Sequence, residues 1–307
     1  MTYDSSGDTG AGTNERRELA REKSKSLRVQ HKKKERRNRF LLQGGILVVL
    51  IAIIAIVTLS IVNTIQPAGP GPKNMLSDGI QIGQDLIATP TAGLEPGNDP
   101  EPAVQEEGSE VIAIQVYVDY LCAVCADFQS ENDDQITTWL NTGDATIEYH
   151  PIALLNSHSQ GTQYSTRAAN AAGCVANYAP DAFYSYNNAL FADQPADGST
   201  GLSDEELVER ATAAGITSTS EIERCVNDTA FKSWVKDATD RALTGPINDD
   251  VAAVTVTPTI IVNGVKYAGD PADAAAFSAF VVQAAGETFT EDATSTATPT
   301  PAPTTAP

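Results

Sequence analysis

Basic residues are scarce in most of this chain. Of 20 Lys and Arg, 12 fall in residues 1–40 and only 8 in residues 41–307, where 34 of the 40 acids lie. The larger part therefore carries a balance of −26, which repels phosphate and disfavours a nucleic-acid reader. Cysteine and histidine are also rare, at four and three residues. A zinc site takes about four ligands at set spacings, and the chain has neither a second C-x-x-C nor an H-x₃₋₅-H; His150 and His158 are eight apart. Nothing resembles a nucleophile elbow or a Ser/His/Asp triad, so a hydrolase is disfavoured. No internal repeat is visible.

Charge is absent altogether from Leu41 to Val62, a run of 22 residues reading LLQGGILVVLIAIIAIVTLSIV. A helix rises about 1.5 Å per residue, so this run spans a hydrocarbon core of about 30 Å. Lys32, Lys33, Lys34, Arg36, Arg37 and Arg39 precede it, and no base follows until Lys73. The positive-inside rule predicts a single transmembrane helix with residues 1–40 as a basic cytoplasmic tail and the rest outside the cell membrane. The rival, a cleaved signal peptide, is disfavoured by the long basic leader and the missing A-x-A site. Bases beside the span also suit contact with anionic lipid. All four cysteines then lie outside, where disulfides persist.

Residues 63–108 are acidic and rich in Pro and Gly, which predicts a flexible tether, with a short strand or hairpin over 75–87 (MLSDGIQIGQDLI). Residues 287–307 hold 8 Thr and 4 Pro, which predicts a disordered tail open to O-glycosylation. The folded part is 109–286. Val111–Val118 is apolar and β-branched, a buried strand; 123–140 reads as a helix; Ala145–Leu155 reads as a second strand, with Pro151 implying an edge or a bulge. A wholly helical block covers about 160–245. Its helices are expected at 163–177, from Pro180 onward, after the capping box Ser203-Asp204-Glu205-Glu206 up to Gly215, at 219–227 and at 229–243. Val256–Val262, the Asn263-Gly264 turn and Val265–Ala268 form a hairpin, and a last helix runs from Pro271 to about Ala285. Without the block the order is β-α-β followed by β-β-α, a small α/β sheet with a helical insertion.

The chemistry sits where the first strand meets the first helix, at Cys122-Ala123-Val124-Cys125. Cys122 at the helix N-terminus meets free N–H groups and the positive end of the dipole, which favour a thiolate. Cys125 follows one turn later on the same face, within disulfide reach. Cys122 is the expected exposed nucleophile and Cys125 the resolving thiol. An inert disulfide and half of a zinc site are the bland alternatives. No metal or organic cofactor is required.

The phrases YVDYLCAVCADF, YHPIALLNSHSQGTQYSTRAANAAGCVAN and VTPTIIVNG resemble the membrane-anchored DsbA-like thioredoxin-fold oxidoreductases of actinobacteria. The resemblance covers about 109–286, and weakly 74–88, and implies a thioredoxin-like fold with a helical insertion. Cys122 matches the attacking cysteine and Cys125 the resolving one. Pro258 matches the family's cis-proline, although general X-Pro statistics favour trans. Thr257 would then offer backbone groups to an extended client peptide. The resemblance implies disulfide donation to exported cysteine-containing proteins and reoxidation by a VKOR-like or DsbB-like membrane oxidase. The rivals are an isomerase or reductase using the same pair, and a surface binding module that kept only the fold.

The chain departs from the family in three places. Ala123 stands where Pro is frequent, and Val124 where the strongest oxidants carry His. Neither side chain donates to a thiolate, which predicts a less oxidising pair. Val116 stands where a buried carboxylate often relays protons; Asp119 is the nearest acid, and a solvated or capping role at the strand end is favoured for it. Four cysteines allow three pairings. The expected one joins Cys122 to Cys125 and Cys174 to Cys225, the latter a structural staple rather than a second relay.

Overall fold

A computed structural model describes residues 23, 69–103, 109, 111–217 and 219–295, and the account below concerns residues 69–295. Among the described residues no helix is long and apolar enough to cross a membrane; the span expected at 41–62 lies outside them.

Five strands form one sheet in the order β1-β3-β2-β4-β5. They are β1 (Ile80–Ile82), β2 (Ile112–Val118), β3 (Ala145–Pro151), β4 (Thr259–Val262) and β5 (Val265–Lys266). β2 and β3 run parallel, with Ile114 opposite Ile147, and every other pair is antiparallel. Side chains alternate across a sheet. Ile114, Val116, Val118, Ile147, Tyr149, Ile260 and Val262 therefore enter the main core, while Tyr117 and Ile261 enter a smaller cluster on the other face.

Helix α1 (Ala123–Thr142) returns the chain from β2 to β3. Its buried residues Cys125, Phe128, Gln129, Asn132, Ile136 and Leu140 form one stripe toward the sheet. Gly143, at φ 79°, ends it by donating to Leu140 O, a left-handed cap that glycine adopts without a Cβ clash. Helix α7 (Ala274–Ser295) lies beside α1, where the Phe128 and Phe277 rings meet edge to face at 5.3 Å.

Between β3 and β4 lies the helical block: α2 (Tyr164–Tyr178), α3 (Phe183–Ala192), α4 (Asp204–Ala213), α5 (Ser220–Asn227) and α6 (Lys232–Thr244). α2 is its hub and is buried almost all round. Its small residues permit this: a Cβ on Gly173 would come within 2.9 Å of Pro72 Cγ and 3.3 Å of the Trp234 ring. The capping box forms as expected, Ser203 Oγ accepting from Glu206 N and Glu206 Oε2 from Ser203 N. The expected α/β thioredoxin-like arrangement with a helical insertion is therefore present.

Several expectations need correction. Residues 69–103 belong to the folded domain instead of forming a flexible tether, and the short strand expected within 75–87 is present as β1. Met75, Ile80, Ile82, Ala88 and Leu94 are buried, and β1 adds to the free edge of β3. Asp78 receives Trp234 Nε1 at 3.0 Å and pairs twice with Arg241, at 2.6 and 2.7 Å. Sparse apolar residues suffice here because each reaches the core and the charged turn between them has a buried partner. The second strand ends at Pro151, not Leu155. Pro151 has no N–H to donate, and the last ladder bond runs from Ile152 N to Val118 O at 2.9 Å. Pro258 has the same effect, and β4 starts at Thr259 instead of Val256. Pro180–Ala182 forms a 3₁₀ turn that leads into α3. α6 starts at Lys232 because Thr229 has φ 46°. α7 continues to Ser295, into the segment expected to be disordered. Once nucleated, a helix gains a bond for each added residue, and the single Gly286 costs only about 1 kcal/mol. Residues 296–307 lie outside the described part.

Candidate active site

The turn Asp119-Tyr120-Leu121-Cys122 carries the chain from the C-terminal end of β2 into α1. Asp119 shapes it: its Oδ1 accepts from Leu121 N at 2.8 Å, its Oδ2 from Leu155 N at 2.8 Å, and its carbonyl from Cys122 N at 2.9 Å. The solvated or capping role expected for Asp119 is not what the structure has: the residue is wholly buried and holds the turn and Leu155, while the helix cap is Cys122. Burial raises its pKa against the pull of those backbone bonds. Val116, at the relay position, is a core residue.

Cys122 is the N-cap of α1, and its Sγ accepts from Cys125 N at 3.3 Å. This is the thiol at the helix N-terminus that the spacing predicts. Both cysteines are unbonded thiols. Cys122 keeps only 6% of its surface and Cys125 none, so the nucleophile expected to be exposed is buried, because the turn and the segment before β4 cover it. Cys122 has its pKa lowered to about 7, first by the hydrogen bond from the Cys125 side chain, with Thr257 and the Cys125 backbone adding to it against burial. Cys125 moves the other way: burial, then the adjacent Cys122, push it well above 9.0. One thiol ionises easily and the other holds its proton. Such an asymmetry suits one cysteine to attack and the other to resolve.

The third part arrives from far along the chain. β4 pairs with β2, with Thr259 opposite Tyr117, and this sets the segment before it beside the cysteine turn. Thr257-Pro258 is a cis peptide bond, and the Cys122 thiol donates to Thr257 O at 3.1 Å across 135 positions. Val124 and Val256, next to these elements in sequence, are exposed by 45% and 57%. Gly245-Pro246 is also cis, which the sequence did not signal.

Cys174 on α2 and Cys225 on α5 are joined by a disulfide with Cα atoms 5.9 Å apart. Both are buried in the main core. Among the described residues no cluster of His, Cys, Asp and Glu could hold a metal ion. His158 is half-exposed and bonds Asp197 at 2.9 Å, and Arg167 pairs with Asp204 at 2.8 Å. A cavity of about 380 Å³ lies on the second face of the sheet, against Gln115, Tyr117, His150 and Arg241, and no cysteine lines it. Sequence reasoning missed Gln194, whose amide Nε2 donates to both Tyr120 O and Cys122 O at 3.0 Å. It lies in a polar loop 72 positions from Cys122, and no local pattern marks it.

A sheet with a C-x-x-C pair opening its first helix and a cis X-Pro bond facing the first sulfur defines a thiol–disulfide oxidoreductase of thioredoxin type. A family model described as Thioredoxin matches residues 107–283, and the chain belongs to that family, as a thiol–disulfide oxidoreductase. No curated protein matches it. Among solved structures it is similar to reduced DsbG of Mycobacterium tuberculosis, at 25% identity and TM-score 0.51, over 75% of this chain and 97% of that one. It is similar to oxidised DsbA of the same organism, at 26% identity and TM-score 0.49, over 71% and 100%. It is also similar to oxidised BdbD of Bacillus subtilis, at 19% identity and TM-score 0.50, over 72% and 100%.

Proposed function

We propose that the protein is a membrane-tethered, extracytoplasmic oxidase that introduces disulfides into exported proteins through Cys122 and Cys125. The observation that carries this reading is the asymmetry of the pair: a cysteine lowered to about 7 at a helix N-terminus, beside one held protonated by burial. With the pair oxidised, a client thiolate attacks Cys122 Sγ. The Cys122–Cys125 bond breaks, and Cys125 leaves as a thiolate that takes up a proton. The client's second thiolate then attacks the client sulfur of the mixed disulfide, and Cys122 leaves as a thiolate. Two electrons pass to the pair and one disulfide forms in the client. The low basicity of Cys122 makes it the better leaving group in the second step. Thr257 and Pro258 border the place where the client backbone would lie. A VKOR-like or DsbB-like membrane oxidase would return the pair to the disulfide, and the uncharged run 41–62 would hold the catalytic domain near that partner.

A second reading, reductase or isomerase, has one observation in its favour. A thiol near 7 resembles the thioredoxin value of about 7 more than the DsbA value of about 3.5. Ala123 and Val124 supply no side-chain donor that would lower it further. The reduction potential of the pair, measured in graded glutathione buffers by counting alkylated thiols, separates the two. A value of about −120 to −180 mV supports disulfide donation, and one near −270 mV overturns it. A non-enzymatic binding module predicts that Cys122→Ala keeps function. The oxidase predicts that this change abolishes client oxidation and that Cys125→Ala traps mixed disulfides.

A further inference from the structure

Three side chains at the end of α3 hold the turn that carries Cys122. Asn187, Phe191 and Gln194 follow the i, i+4, i+7 spacing of one helix face, with Gln194 just past the last helical residue, Ala192. The Tyr120 hydroxyl donates to Asn187 Oδ1 at 3.0 Å, and the Tyr120 and Phe191 rings lie 5.1 Å apart. Gln194 Nε2 completes the grip by donating to Tyr120 O and Cys122 O, both at 3.0 Å. A side-chain amide has two protons to give, and both go to the carbonyls that flank Leu121.

The same tripeptide is held from its N–H side by Asp119, which takes Leu121 N on Oδ1 and Cys122 N on its carbonyl. Gln194 holds it from the C=O side. The loop that carries Gln194 is itself anchored. Gln160 Nε2 donates to Gly198 O and Thr162 Oγ1 to Thr200 O, both at 2.6 Å, and His158 bonds Asp197. The Cys122 sulfur must meet Thr257 O at 3.1 Å and Cys125 N at 3.3 Å together. The Cys122 carbonyl also accepts from Cys125 N at 3.0 Å and Ala126 N at 3.3 Å, so loss of the amide would free the Tyr120 carbonyl, and rotation of the Tyr120–Leu121 peptide would swing the sulfur off both.

We infer that Gln194 is a positioning residue for thiol–disulfide exchange: its amide, bridging the Tyr120 and Cys122 carbonyls, is the means by which the helical block sets the Cys122 sulfur against Thr257. The inference rests on Cys122 being the attacking thiol. The block is then part of the catalytic device and not only an insertion that covers the sheet. Gln194 touches no reacting atom and acts through the turn.

The test compares the full chain with its Gln194→Met, Gln194→Glu and Cys122→Ala variants. Met keeps the length and removes both donors; Glu keeps the length and sets an anion against two carbonyls. The readouts are kcat and KM for oxidation of a two-thiol peptide, with oxidised glutathione returning the pair to the disulfide after each turnover, the midpoint of the thiolate absorbance titration, and the thermal midpoint. Misplacing a reacting group by about 1 Å can cost about a hundredfold. The expected result is a kcat lower by about tenfold to a hundredfold in Gln194→Met and at least as low in Gln194→Glu. KM and the thermal midpoint stay near the parent's, and the thiolate titration moves to higher pH. Parent-like kcat and titration in Gln194→Met overturn the inference. So does a loss of kcat that follows the thermal midpoint while the titration stays in place, because that is a purely structural role. Activity retained by Cys122→Ala would sink the reading of the site itself, a failure distinct from that of Gln194.

Discussion

Removing Cys125 tests the origin of the Cys122 thiolate. Cys122 is held at about 7 against 9.0 for an unperturbed thiol, and the hydrogen bond from Cys125 is the largest cause. At pH 7 about half of Cys122 is therefore thiolate, against roughly 1% for the unperturbed group. Lower basicity also lowers nucleophilicity: with a Brønsted slope of about 0.5, two pH units cost about tenfold. The net advantage of Cys122 over an ordinary thiol at pH 7 is then about fivefold in alkylation rate. In Cys125→Ala the main donor is gone, while the helix N-terminus and Thr257 remain. The titration midpoint should move up toward 9, and alkylation at pH 7 should slow by up to about fivefold. The assay is the pH profile of alkylation by a neutral reagent, read by mass, with thiolate absorbance in parallel. An unchanged midpoint near 7 in Cys125→Ala would show that the backbone N–H groups and Thr257 suffice, and would refute the reasoning. The parent protein carries a linked expectation for stability. Between about 7 and 9 the unfolded Cys122 binds a proton that the folded one has lost, so the reduced form gains stability as pH rises through that window. Above about 9 the unfolded Cys125 ionises while the buried one does not, and stability falls again. The oxidised form shows neither change, so melting both forms across this range checks the sign.

Three further outcomes are expected. In the Cys122→Ala/Cys125→Ala double variant the only remaining bridge closes 51 positions between Cys174 and Cys225, and chain entropy gives it about 4 kcal/mol. Denaturant unfolding of this variant with and without reductant should differ by that order, and a difference below about 1 kcal/mol would rule out the staple. Glu148 is buried, which raises its pKa, yet His150, Ser77 and Gln115 outweigh burial and hold it at about 2. Its contribution is present above about 4.3 and is lost as pH falls toward 2, so Glu148→Gln should flatten acid unfolding in that window; an unchanged acid limb counts against it. The Asp119 charge opposes the Cys122 thiolate. Asp119→Asn keeps a side-chain acceptor for the turn and should lower the Cys122 midpoint while raising the reduction potential, whereas a fall in potential would assign Asp119 another role.

Much of the site was legible in the residues. The Cys122-Ala123-Val124-Cys125 spacing, at the end of a β-branched run and the start of a helix, already implied a reactive thiol and its partner, because both facts depend on neighbours within one turn. The same holds for the Ser203–Glu206 capping box and for the Asn263-Gly264 turn, where φ is positive at both residues. Other features were legible only through resemblance, chiefly the cis bond at Pro258. Isolated X-Pro statistics point the other way, and the contact beside it joins Cys122 to Thr257 across a separation of 135 positions.

What the sequence determined by itself was local: the order of the elements, the C-x-x-C pair at a helix start, the cluster of bases before an uncharged run, and the absence of any metal-ligand spacing. What tertiary structure decided was every long-range meeting. A Pro- and Gly-rich segment became the edge of the sheet because Ile80 and Ile82 found the free side of β3. Of three possible pairings the structure took Cys174 with Cys225, because α2 and α5 bring their Cα atoms to 5.9 Å. Asp119 was sealed in, and Gln194 reached the cysteine turn from another domain layer. Helix and strand periodicity reports only neighbours within a few positions, whereas these contacts exist only once the helical block has closed over the sheet.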